Sequence, residues 1–279
     1  MPKRANYNKH DILGKIFNKK FAGVPSQQPE IEIYFDDIKT AARQLSQTLP
    51  VSISNFILDL CRKNNGLEAR VPEVVRNAGY DLKKATGNSS KKHRKRLAGR
   101  FVYVGVGKEV QSWLIWPIPN HVIMIDSRQL PPLVRRLLRR DEAAMFSVFD
   151  YLDVLSQALG LSSNGIQRLQ APMKWQPNEI DGLYFRDAEA NLTLYPVEAK
   201  ALTTNDEINF EQLVGGYRVV VDKMGSDSEA ASIDVVQIAA QMVTNGVRLA
   251  VFPKNVEPQQ SNIANCIQVT FDPPITAWS

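Results

Sequence analysis

The sequence predicts an α/β chain whose second half is a mixed sheet flanked by helices, preceded by a mainly helical, basic N-terminal domain. Three observations lead there. From residue 133 onward, apolar runs of strand length interleave with helical periods, in the order helix, strand, strand, helix, helix, strand, strand. Charge divides along the chain: residues 1–140 carry 26 Lys and Arg against 11 Asp and Glu, and the remainder carries 8 against 18. The balances, +15 and −10, hide inside a net charge of only +5. With 279 residues, 44% of them hydrophobic and 23% charged, the chain can bury one large core or two modest ones.

Taken in order, residues 1–30 are polar and basic and end in VPSQQPE, which reads as an arm and linker. Residues 31–130 read as a recognition domain. Within it, DDIKTAARQLSQT places Ile38, Ala41, Ala42 and Leu45 at helical spacing, with acids in the first turn. SISNFILDLCRKN reads as a second helix stopped by Asn65-Gly66, and Pro72 opens a third through VVRNAG. With the extended runs RFVYVGV and SWLIWPI, these fit a winged helix-turn-helix module and, almost as well, a helical cap on a small sheet. The segment from Lys83 to Arg100 holds eight Lys/Arg, one His (His93) and no acid. Such density suits phosphate contacts, which bring affinity without base specificity. Lys83, Lys84, Lys91, Lys92, Arg94, Lys95, Arg96 and Arg100 are the DNA-binding candidates. WLIWPIP, at 113–119, fits burial in a strand or domain seam better than stacking on bases.

Residues 131–279 read as the second domain. A helical period runs from Leu133 to Leu159, with Arg135, Arg136, Arg139 and Arg140 in rows on one side and Gly160 as its stop. The sequence is then loop-like until Trp175. Two strands follow, at about 179–186 and 192–200, joined by the turn RDAEAN. Asn205 or Asp206 caps a helix containing Gly215-Gly216, adjacent glycines that either break it or admit a close neighbour. SIDVVQIAAQMVTNG reads as one more helix, and VRLAVFP and NCIQVTF as two final strands.

Several classes fall away. No apolar run approaches the ~18–20 residues that cross a bilayer, and the basic start lacks the apolar stretch and cleavage site of a signal peptide. Cys61 and Cys266 are too few and too far apart for a disulfide framework or a structural zinc, which suits free thiols in a cytoplasmic protein. A basic half without a basic amphipathic helix favours nucleic acid over a membrane as the polyanion.

The chemistry concentrates in Asn178–Lys200, where NEIDGLYF is followed by LTLYPVEAK. In a strand Glu198 and Lys200 share a face while Ala199 enters the core, and Asp181 heads the neighbouring strand. Two carboxylates suit Mg²⁺, an oxygen-seeking ion that keeps several waters, with the Ala199 carbonyl as a further ligand. The Lys200 ammonium suits charge growing on a phosphoryl oxygen. A Glu-x-Lys tripeptide alone ends many surface strands as a solvated pair; the apolar run before it and the Asp-Gly 17 residues upstream make the set specific.

This pattern resembles the PD-(D/E)xK nuclease superfamily over roughly residues 133–275. The resemblance implies a restriction-endonuclease-like fold, with Asp181 and Glu198 as metal ligands and Lys200 as the catalytic lysine. It points to Glu142, with Asp153 behind it, as the additional acid of the preceding helix. Gln212 and Tyr217 resemble a Gln–Tyr pair of some branches, at a spacing one residue longer. Ile180 stands where the superfamily's Pro would be, and Glu179 is set aside as facing away on a regular strand. The expectation is a Mg²⁺-dependent DNA endonuclease, with Mn²⁺ as substitute, of the restriction or phage-defence kind, in the cytoplasm of a prokaryotic cell and associated with the nucleoid. Double-stranded DNA is the expected partner and a homodimer the expected assembly, since duplex strands are antiparallel. A structure-selective repair or recombination nuclease, and an inactive DNA-binding regulator on the same fold, stay open as alternatives. So does RNA as substrate.

Overall fold

The computed structural model describes residues 6–50, 53, 56–61, 65–84, 97–110, 112–162, 165–175, 178–188, 191–202, 207–225 and 233–279. The chain divides into two compact units, Met1–Ser112 and Trp113–Ser279. The division falls before the boundary between residues 130 and 131 read from the sequence, because residues 113–130 give apolar side chains and a strand to the second unit. Among the described residues no helix is long and apolar enough to cross a membrane.

The first unit packs helices on a small antiparallel sheet. Its elements are α1 (Lys9–Lys20), β1 (Glu30–Tyr34), α2 (Phe35–Gln44), α3 (Phe56–Leu60), α4 (Leu67–Arg70), α5 (Glu73–Asn77), β2 (Tyr80–Lys84) and β3 (Leu97–Tyr103), with strand order β1-β3-β2. The expected N-terminal arm contains α1. Asn8 caps it by accepting the His10 and Asp11 N–H groups, and Ile12, Leu13, Ile16 and Phe17 are buried. Phe17 meets the edges of Tyr80 and Phe101, each at 5.3 Å. The basic residues around this apolar stripe give the segment its polar composition without unfolding it.

One polar network locks the unit. Asp81 is fully buried and accepts Nε and Nη2 of Arg70 at 3.2 and 2.9 Å, with the Leu82 and Val110 N–H groups completing its shell. Glu109 takes a further Arg70 N–H at 2.7 Å. Asp81→Ala leaves the buried guanidinium without its bidentate partner, and the expected cost is about 3–5 kcal/mol, measurable as a lowered denaturation midpoint.

The second unit is a mixed sheet flanked by helices. Its elements are β4 (His121–Asp126), α6 (Pro132–Leu137), α7 (Glu142–Tyr151), α8 (Val154–Ala158), β5 (Gln167–Gln170), β6 (Met173–Trp175), β7 (Asn178–Ile180), β8 (Gly182–Ala188), β9 (Asn191–Lys200), α9 (Phe210–Gly225), β10 (Asp234–Val235), β11 (Ile238–Val243), β12 (Gly246–Val251) and β13 (Asn265–Asp272). Eight strands form an open sheet of order β4-β13-β12-β11-β9-β8-β5, with β10 also on β9, and β6 and β7 form a separate ribbon. β9 runs parallel to β11, and β4 parallel to β13; the other pairs along that order are antiparallel. One face carries Tyr195, Val197 and Ala199 into a core with Met145, Phe146 and Phe149 of α7. The other is covered by α9, through Leu213 against Ala239 and Ala250, and through Tyr217 and Val220 against Leu183 and Leu194.

Several expectations are corrected here. The helical period 133–159 is three helices, because Leu138 turns extended, Asp141 caps α7 afresh and Asp153 has φ +50°. Its arginines are not one row: Arg140 donates to the Ala277 and Ser279 carbonyls, and Arg139 O accepts the Trp278 indole N–H. The expected helix of 232–246 is not formed: its described residues from 233 onward contain β10 and β11, and β11 turns into β12 as a hairpin. β11 is buried on both faces, and a strand so placed reads as a continuous apolar run with no period of two. Asn245, with φ +50°, turns that hairpin. The loop-like 161–175 contains β5, concealed by its polar side chains, and β6, concealed by its length of three residues. SWLIWPI adds only an isolated bridge at Trp113, while Leu114 and Trp116 join the α9-side cluster.

Candidate active site

The site forms where β7 bends into β8 beside the end of β9. Gly182 pairs with Val197, which sets Asp181 opposite Glu198. Gly182 also allows the Phe146 ring to approach, since a Cβ there would lie 2.6 Å from ring carbon Cε1. Asn178, three residues before Asp181, donates Nδ2–H to Gly215 O at 2.9 Å. A Cβ on Gly215 would meet the Asn178 amide at 2.9 Å, so the paired glycines admit a close neighbour and α9 continues unbroken through them. The cap of α9 is Asn209, which accepts the Glu211 N–H at 2.8 Å; the expected caps Asn205 and Asp206 lie outside the described residues.

Three of the expected residues converge. Lys200 Nζ lies 2.7 Å from Glu198 Oε1 and 4.0 Å from Asp181 Oδ2. Asp181 Oδ2 accepts the Ala199 N–H at 2.9 Å, while the Ala199 side chain is fully buried. Glu198 is only 3% exposed. Burial, with the charge of Asp181 adding to it, pushes its carboxyl up to about 8 against the pull of Lys200. Burial would lower the Lys200 ammonium, but Glu198, Asp181 and Glu142 together hold it above its ordinary value. With both carboxyls ionised, the set would carry one excess negative charge, which a divalent cation would neutralise. Among the described residues no three His, Cys, Asp or Glu side chains gather as a ready cage. Two carboxylates with waters and a substrate oxygen nevertheless match how Mg²⁺ is usually held.

A cleft of about 360 Å³ adjoins the pair, lined by Glu142, Ala143, Phe146, Ser147, Arg168, Ala171, Pro172, Glu179 and Asp181. Glu142, at the first turn of α7, thus shares a cavity with Asp181 and acts electrostatically on Lys200. Asp153 lines a different cavity, with Asp150, Arg168 and Tyr184. Glu179 faces the same cleft as Asp181, which corrects its dismissal: the two are two residues apart, and Ile180 between them is the buried one. Gln212 is exposed in the first turn of α9, and Tyr217 packs with Ile180 and Leu183 in the core.

Of the DNA-binding candidates, Lys83 stands opposite Arg100 across β2 and β3, Lys84 is exposed, and Arg100 pairs with Glu30 at 2.9 Å. Lys91, Lys92, Arg94, Lys95 and Arg96 lie outside the described residues, in the segment connecting these antiparallel strands. Arg168 and Ser147 are cleft residues that sequence reasoning missed; Ser147 lies one turn beyond Ala143 on α7. Compared with protein-family models, curated proteins and solved structures, the chain gives no match.

Proposed function

We propose that the second unit is a metal-dependent nuclease that hydrolyses phosphodiester bonds in DNA, with the restriction-endonuclease-like fold its motif resembles, and that it serves restriction or phage defence. The observation that carries this reading is the convergence of Asp181, Glu198 and Lys200 into one hydrogen-bonded set beside a cleft. Asp181 and Glu198 would hold Mg²⁺ or Mn²⁺, with the Ala199 carbonyl as a further ligand. Bound there, the ion polarises the phosphate and lowers the pKa of a water.

The remaining work falls to the chain. Lys200, fixed by two carboxylates, presents its ammonium to the phosphoryl oxygens. Glu142 offers a carboxylate from the cleft wall to orient the attacking water, and buried Glu198 keeps bulk solvent from the centre. The first unit engages the duplex backbone through its basic segment, with Lys83, Lys84 and Arg100 at the roots of that segment, in the manner of a wing.

The test is digestion of a sequenced genomic DNA with Mg²⁺ and with EDTA, followed by sequencing of the new ends. Discrete ends at one sequence are expected with Mg²⁺ only. Ends at branched or nicked structures would shift the reading to a repair nuclease. Binding without metal-dependent cleavage of DNA or RNA would leave an inactive regulator.

A further inference from the structure

The cleft that Asp181 lines also holds a guanidinium, that of Arg168. Arg168 sits on β5, the edge strand, opposite Tyr184 of β8. The register slips between Arg168 and Gln170, a bulge of the kind that re-aims a side chain at a sheet edge. Asp150 of α7 holds both partners. Its Oδ2 lies 2.7 Å from Arg168 Nη2, and its Oδ1 accepts the Tyr184 hydroxyl at 3.2 Å. Three elements therefore fix one guanidinium, and its side chain is still 35% exposed.

Arg168 also lines two cavities. One is the cleft shared with Glu142, Glu179 and Asp181, and the other lies behind it, toward Asp150 and Asp153. Lys200, beside Asp181, already has Glu198 and Asp181 as partners, and Arg168 is the cation that lines the cleft itself. A phosphodiester entering past three carboxylates needs a cation that can still turn toward it. A guanidinium has five N–H donors, and among the described residues Asp150 is the one acceptor bound to that of Arg168. Planar, permanently charged and with donors to spare, it suits a phosphate oxygen pair better than a lysine would.

We propose that Arg168 is a phosphate-binding residue of this site, gripping a non-bridging oxygen of the scissile or adjacent phosphate while Asp150 and Tyr184 hold it in place. The inference rests on the nuclease reading. Arg168→Ala is expected to lower the single-turnover cleavage rate about 100-fold, with Mn²⁺ affinity by calorimetry unchanged. Arg168→Lys recovers part of the rate, and Asp150→Asn, which loosens the guanidinium, gives an intermediate loss. Thermal unfolding of each variant separates these effects from loss of fold, and Arg168→Lys keeps the positive charge beside Asp150 should the alanine variant unfold.

Cleavage by Arg168→Ala at the wild-type rate overturns the proposal and leaves the nuclease reading standing. If the wild-type protein cleaves neither DNA nor RNA, the nuclease reading fails, and Arg168 is judged by inorganic phosphate titrated in the presence of Mg²⁺. Weakening of phosphate binding by tenfold or more in Arg168→Ala then supports the anion site, and equal binding by both proteins overturns it.

Discussion

Lys200→Ala and Asp181→Ala are each expected to lower Mg²⁺-dependent cleavage of duplex DNA on the order of 10³-fold, while affinity for the duplex stays near wild type. The variants fail for different reasons. Lys200→Ala removes the ammonium 2.7 Å from Glu198, so the phosphoryl charge loses its counter-ion and the Glu198 carboxyl rises further. Asp181→Ala removes one of the two carboxylates proposed to hold the metal and leaves the Ala199 N–H without its acceptor. Affinity survives because nonspecific binding to the duplex draws on phosphate contacts by basic residues, and the basic segment belongs to the first unit. Single-turnover cleavage and a binding titration in EDTA, run side by side, make the comparison. Metal-dependent cleavage persisting in both variants would remove Asp181 and Lys200 from the chemistry.

The second large effect is on pH. Glu198 has its carboxyl raised to about 8 from an ordinary 4.5 by burial and by Asp181. Between those values the folded, metal-free protein binds more protons than the unfolded chain, so its stability falls as pH rises from about 4.5 to about 8. Metal binding runs the other way. The ion needs the carboxylate, so affinity for Mg²⁺ is expected to climb toward pH 8 and binding to release close to one proton near neutrality. Calorimetry in buffers of different ionisation enthalpy counts that proton. Glu198→Gln should flatten the stability slope and abolish the proton release together; a slope unchanged in that variant would assign the titration to another group.

How legible these features were depends on what each residue does. The carboxylate–lysine set was visible because a strand's period of two is strict: Glu198 and Lys200 had to share a face, and the apolar run before them marked the strand. α2 and α5 were visible through helical spacing and a proline at the start. β11 was not, since burial on both faces erases alternation and IAAQMV looks the same as strand or helix. α1 was obscured by its lysines, although Ile12, Leu13, Ile16 and Phe17 held a helical stripe. Arg168 was invisible in principle. Its place depends on a bulge, on Asp150 eighteen residues earlier and on Tyr184 sixteen later, and no local pattern records such a meeting.

The pairing of β4 with β13 joins residue 121 to residue 267, so the first strand of the second unit waits for its last. A chain emerging from the ribosome displays Glu142, Asp181, Glu198 and Lys200 before either β11, the neighbour of β9, or β13, the neighbour of β4, has been made. Until residues 238–272 follow, the β8–β9 pair that sets Asp181 opposite Glu198 lacks its neighbour β11, and β4 lacks β13. On the proposed reading, the cutting centre would be complete only after residues 238–272 have been made.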